Sequence, residues 1–105
     1  MKAIVTGSQG FIGRELVHEL HDQGYEVYEY DIKNGDDVTN IDDFPKVDEI
    51  YHLAATNGTK LFYDRPADVL KNNTLLTFAF DDYMLRNPNT RFIFSSTCEV
   101  FNGAI

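Results

Sequence analysis

One cysteine and no tryptophan occur in 105 residues. Cys98 on its own excludes an internal disulfide, so stability must come from a packed core, and the thiol usage suits a reducing cytoplasm. Positive charge is scarce as well. Nine Lys and Arg stand against seventeen Asp and Glu, a net charge of −8, which argues against a surface that tracks nucleic-acid phosphates. No apolar run approaches a membrane span, and the N-terminus lacks signal-peptide architecture. Internal repeats and low-complexity stretches are also missing. These absences predict a cytoplasmic domain with neither a membrane nor a nucleic-acid partner. Asn57-Gly58-Thr59 and Asn72-Asn73-Thr74 match the glycosylation pattern but are incidental without secretion. No metal site is expected. His18 and His21 lie on a polar helix face, and Asp36, Asp37, Asp42 and Asp43 lack the spacing of a calcium loop.

The composition that remains, 43% hydrophobic and 25% charged, is globular, and the length has room for one small domain over residues 1–105. Lys2 to Thr6 is a short apolar strand. From Phe11 to Gln23, Ile12, Leu16, Val17 and Leu20 recur at helical spacing, and Gly24 is placed to end the helix. Tyr25 to Asp31, Asp48 to Leu53 and Arg91 to Ser96 read as further strands. Pro66 suits a first helical turn and Pro88 a stop, which predicts one long helix over Ala67 to Arg86. That helix has two apolar stripes: Val69, Asn73, Leu76, Phe80 and Met84 on one, Leu75, Phe78 and Leu85 on the other. A surface helix needs only one, so self-association into a homodimer or larger species is expected.

Strands alternating with helices predict an α/β fold, a Rossmann-type parallel sheet of about four strands flanked by helices. Only sixteen residues, rich in Asn, Gly, Asp and Pro, separate Asp31 from Asp48. The usual third strand should therefore be abbreviated. No helix pattern follows the last strand before Ile105, so the fold is expected to be incomplete at its C-terminus.

The most informative residues are Gly7-Ser8-Gln9-Gly10-Phe11-Ile12-Gly13. They lie between the first strand and a helix, where glycines let backbone approach a diphosphate and free helix N–H groups point at the anion. Eighteen residues after Gly13, at the end of the next apolar run, stands Asp31, the position at which such folds place a carboxylate against the adenosine ribose. A 2′-phosphate there would meet like charge, which favours NAD over NADP.

Together these motifs resemble the extended short-chain dehydrogenase/reductase family, the NAD-dependent epimerases and dehydratases of nucleotide sugars, over essentially all 105 residues. Val5-Thr6-Gly7-Ser8-Gln9-Gly10-Phe11-Ile12-Gly13 resembles the family's opening VTGxxGxxG, and Asp31 its ribose acid. Asp37-Val38 is similar to its adenine-holding pair, and His52-Leu53-Ala54-Ala55 to the small-residue strand end along the cofactor. Asn73 sits like the family asparagine near the nicotinamide half. Phe94-Ser95-Ser96-Thr97-Cys98-Glu99-Val100-Phe101 is similar to FSSSxxVYG, with Phe101-Asn102 in place of Tyr-Gly. The resemblance implies NAD as cofactor, held by Gly7, Gln9, Gly10, Phe11, Ile12, Gly13, Asp31, Asp37, Val38, Leu53, Ala54, Ala55, Asn73 and Ser95. It implies that Thr97 is catalytic, its hydroxyl on the sugar oxygen of a nucleotide-sugar substrate.

The family's proton transfer also needs a tyrosine with a lysine four residues later. Tyrosines 25, 28, 30, 51, 63 and 83 all lack one. Two expectations stay open: the NAD-binding portion of an epimerase or dehydratase, or a noncatalytic NAD-binding module or truncated inactive product.

Overall fold

A computed structural model describes residues 1–41, 43–54 and 66–94, with the backbone alone at 40, 66, 69, 72, 73 and 77. Ala55, Ser95 and Thr97 lie outside the described residues. Strands β1 (Lys2–Thr6), β2 (Glu26–Tyr30), β3 (Glu49–His52) and β4 (Arg91–Phe94) form one sheet in the order β2-β1-β3-β4. Every pair is parallel, and Thr6 of β1 stands in register with Tyr30 on one side and His52 on the other.

A parallel sheet buried on both faces reads as continuous apolar sequence, and β1 behaves this way. Alternate side chains leave opposite faces of a strand. Ala3 and Val5 pack with Val17 and Leu20 of helix α1 (Phe11–Asp22). Ile4 and Ile50 pack on the other face with Val47, Phe80 and Tyr83. Helix α1 ends where Gly24 takes φ +86°. There the Gly24 N–H donates to the His21 carbonyl and the Tyr25 N–H to the Leu20 carbonyl, a paired closure that satisfies two terminal carbonyls.

The long helix expected over Ala67 to Arg86 is two helices, α2 (Pro66–Thr77) and α3 (Asp81–Arg86). The break has a packing cause. Phe80 is 1% exposed, with its ring 4.5 Å from that of Phe44 and 5.1 Å from that of His52. To seat it, the chain tightens: the Ala79 N–H reaches the Leu76 carbonyl and the Asp81 N–H the Phe78 carbonyl, three residues back instead of four. Asp81 and Asp82 then open α3, where carboxylates favour the positive helix end. Phe80 is in the core, while Leu75, Phe78 and Leu85 are exposed, Phe78 by 62% and Leu85 by 77%.

The abbreviated third strand takes the form of two short 3₁₀ turns, Ile32–Asn34 and Val38–Asn40, capped by the side chains of Asp31 and Asp37. Gly35 adopts φ +84° between them. Farther along, the Tyr83 hydroxyl accepts from the Val47 N–H at 3.1 Å and donates to the Pro45 carbonyl at 3.2 Å. Thr90 Oγ1 donates to the Val47 carbonyl at 3.0 Å. These anchors return the short segment to the sheet without a strand.

Candidate functional site

In the strand order β2-β1-β3-β4 the chain leaves β1 for one side and later returns on the other. Beyond the carboxyl ends of β1 and β3 the loops therefore part, and open α/β sheets bind ligands in such a crevice. A cleft of about 430 Å³ lies there. It brings together Gly7, Gly10, Asp31, Asp37, Val38, Leu53 and Ala54 among the residues expected from sequence.

The glycines are fixed by contacts that side chains would break. Gly7 has φ +68°, and a Cβ on it would stand 3.0 Å from the Ala54 nitrogen and the Leu53 carbonyl carbon. At Gly13 a Cβ would sit 2.1 Å from the Gly7 carbonyl oxygen, inside the van der Waals limit of backbone that has no room to move. Gly10 differs. A Cβ there would meet the same oxygen at 3.3 Å, and Gly10 alone of the two lines the cleft. Gly13 thus lets the helix pack on the loop, and Gly10 keeps the cleft wall bare.

The loop is tied to β2 at two places. The Gly7 N–H donates to the Tyr30 carbonyl at 2.8 Å, and the Gln9 N–H donates to Asp31 Oδ2 at 2.9 Å. Asp31 Oδ1 accepts from the Lys33 N–H, also at 2.9 Å. Each oxygen retains acceptor capacity, since a carboxylate offers about four lone-pair sites. Gln9 acts here through its backbone. Phe11 and Ile12 do not line the cleft, and their side chains are 83% and 65% exposed. What they present is backbone: at the first positions of α1 their N–H groups have no carbonyl four residues back within the helix. Gly13 is buried beneath the loop, and Asn73 falls within α2.

Asp37 Oδ1 accepts from both the backbone N–H and the hydroxyl of Thr39, at 3.0 and 2.6 Å. Tyr30, Ile32, Lys33, Asp36, Thr39, Leu75 and Leu76 also line the cleft and were not anticipated. Their only sequence signal was nearness to Asp31, Asp37 and the apolar stripe on the helix. Burial, and secondarily Asp36, pushes the Tyr30 phenol up from its ordinary range. At the far, amino end of the sheet, a hydrogen bond to Glu49 holds the Tyr25 phenol at about 12. Burial likewise raises Tyr51. All three phenols are therefore protonated at neutral pH.

Behind the cleft floor, His52 is 1% exposed. Its Nδ1 lies 2.7 Å from Thr6 Oγ1 and its Nε2 2.5 Å from the Leu76 carbonyl. Burial pushes its pKa below the ordinary value, against a smaller upward pull from the Leu76 carbonyl. Among the described residues no group of three His, Cys, Asp or Glu is arranged to hold a metal ion, and no helix is long and apolar enough to cross a membrane.

A glycine-built turn from strand to helix, an acid at the end of the neighbouring strand and a cleft at the switch point define a dinucleotide-binding α/β domain. The model of the NAD dependent epimerase/dehydratase family matches residues 3–104, and the chain belongs to that family. NAD is its cofactor. Among solved structures the chain is similar to a UDP-galactose 4-epimerase, at 26% identity and TM-score 0.78 over 92% of this chain and 38% of that one. It is also similar to MoeE5 in complex with UDP-glucose and NAD, at 25% identity and TM-score 0.79 over 92% of this chain and 36% of that one. A short-chain dehydrogenase/reductase superfamily protein from Agrobacterium tumefaciens with bound NAD matches at 25% identity and TM-score 0.63, over 96% of this chain and 34% of that one. The chain thus spans well under half the length of these structures. No curated protein matches it.

Proposed function

We propose that this chain is the NAD-holding portion of a nucleotide-sugar epimerase or dehydratase. The observation that carries the proposal is the Gly7–Gly13 cradle tied to Asp31 at the switch point. Gly7 and Gly10 admit the diphosphate to the backbone, where the N–H groups of Phe11 and Ile12 and the α1 dipole stabilise its charge. The free lone pairs of Asp31 take the ribose hydroxyls. Asp37 and Val38 border the adenine, Leu53, Ala54 and Ala55 run along the cofactor, Asn73 serves its nicotinamide half, and Ser95 contributes to holding the cofactor. Thr97 orients the sugar oxygen. Bound NAD supplies the hydride acceptor for oxidation of a sugar carbon. Two of the similar structures, MoeE5 and a UDP-glucose 4-epimerase from Thermotoga maritima, hold UDP-glucose, which supports a nucleotide sugar as substrate class. Calorimetric titration with NAD and NADP tests the cofactor assignment. Binding of NAD in preference to NADP is expected, and equal affinity for both overturns the role given to Asp31.

A second reading, that these 105 residues by themselves form a noncatalytic NAD-binding module, follows from their tyrosines. A tyrosine base needs its pKa lowered by a neighbouring cation. Tyr25, Tyr30 and Tyr51 are all shifted upward, and every tyrosine of the chain lacks a lysine four residues later. A missing general base costs about 10²–10⁴-fold in rate, so these 105 residues alone should show no epimerase or dehydratase turnover. An assay with UDP-sugars decides it; turnover by the isolated chain means another residue here is the base.

A further inference from the structure

Behind the cleft, the buried imidazole of His52 links both of its walls. The Leu76 carbonyl can only accept, so the proton of His52 sits on Nε2 and is donated there. That leaves Nδ1 bare, and it accepts the Thr6 hydroxyl proton. With its proton committed, Thr6 Oγ1 turns a lone pair to the Ala54 N–H, which donates to it at 3.0 Å. The chain Ala54 N–H to Thr6 O–H to His52 to Leu76 runs in one direction only, and every polar group in it is used.

This relay has a geometric consequence. β3 ends at His52, and among the described residues no ladder hydrogen bond holds the next two residues. Yet Leu53 and Ala54 are the backbone against which Gly7 packs at 3.0 Å of where a Cβ would be. The Thr6 hydroxyl supplies the missing tether. At its other end, the relay grips α2 at Leu76, beside Leu75 on the opposite side of the cleft. We infer that His52, although walled off from solvent, is a positioning residue for the cofactor: one tautomer of one ring holds the Leu53–Ala54 floor against Gly7 and α2 across from it. The inference rests on the cofactor role proposed for the cleft, and it makes His52 and Thr6 act as a single unit.

Thr6→Val is near-isosteric and removes the hydroxyl; His52→Phe fills the ring space beside Phe80, Phe92 and Phe94 without polar atoms. His52→Gln restores an acceptor and a donor, and Thr6→Ser restores the hydroxyl. In the 105-residue chain, Thr6→Val and His52→Phe should each weaken NAD binding about tenfold through lost hydrogen bonds, and the double variant should lose no more than either alone. His52→Gln and Thr6→Ser should stay within about threefold of wild type, less than the worth of one hydrogen bond. Additive losses, or unchanged affinity in a folded Thr6→Val chain, overturn the inference. Hydrogen exchange at the Ala54 amide separates this from the cofactor assignment because it needs no ligand. Exchange should be slow in wild type and Thr6→Ser and accelerated in Thr6→Val and His52→Phe. If NAD fails to bind while Ala54 responds this way, the cofactor reading falls and the tether stands; an Ala54 amide indifferent to Thr6→Val removes the tether itself.

Discussion

Asp31 and Gln9 are joined across twenty-two residues of chain: the Gln9 N–H donates to Asp31 Oδ2 at 2.9 Å, so the carboxylate expected to meet a ribose also braces the glycine loop. Asp31 therefore has two duties, and its removal has two effects. Asp31→Ala should lower NAD affinity and also destabilise the fold by about 1.5–3 kcal/mol, the worth of charge-assisted hydrogen bonds to backbone. Urea unfolding of the cofactor-free chain isolates the second effect. A stability equal to wild type there means the bond to Gln9 contributes nothing.

Gly10 and Gly13 should separate binding from folding. Gly13→Ala drives a methyl into the Gly7 carbonyl, 2.1 Å away, and should cost about 1–3 kcal/mol or more in stability, as overpacking does. Gly10→Ala meets that oxygen at 3.3 Å and should unfold near the wild-type midpoint while losing NAD affinity. Paired melts and titrations of the two variants check this. The reverse ranking would mean the loop packs differently.

Acid should destabilise the chain through His52. Burial lowers its folded pKa below the ordinary 6.5, so the unfolded chain binds the extra proton first. Stability conferred by the neutral ring is intact above about pH 6.5 and is lost as pH falls toward the folded pKa. The slope of unfolding free energy against pH should flatten in His52→Gln, which has nothing to protonate. A slope identical in both proteins would place the acid sensitivity elsewhere.

Much of this architecture is written in local sequence, and the misjudged parts are tertiary. The β1 strand, α1 and its glycine closure follow from periodicity and from Gly24, which nothing distant overrides. The break between α2 and α3 has no local signal, because no Pro or Gly stands at residues 78–80. It comes from seating Phe80 among Phe44, His52 and Phe92. In the site, Gly7, Gly10 and Asp31 were legible because backbone geometry dictates their residue types. The Thr6–His52 bond was not: the two lie forty-six residues apart and meet only through parallel register. In sequence Leu75 and Leu76 read only as stripe residues, and the fold places them at the cleft. Ala55, Ser95 and Thr97 fall outside the described residues, so their roles rest on motif alone.

Leu70, Leu75, Phe78 and Leu85 expose apolar surface along the α2–α3 arm. We expect the isolated chain to self-associate through it, since monomers rarely leave several large apolar side chains of one arm bare. Light scattering across a concentration series should show dimers or larger species. Phe78→Glu with Leu85→Glu should return a monomer, and a wild-type chain that is monomeric throughout refutes the expectation.

The all-parallel register of the sheet also bears on the order in which the molecule assembles. Lys2 pairs with Glu26 only twenty-four residues away, whereas Ile4 must find Ile50 across forty-six. Closing the shorter loop costs less chain entropy, so topology favours β1–α1–β2 as the first unit to form. That unit already contains the Gly7 to Tyr30 and Gln9 to Asp31 bonds. The glycine loop and its ties to β2 are thus built by the first third of the chain, and the remaining strands extend a nucleus that already holds one side of the cleft.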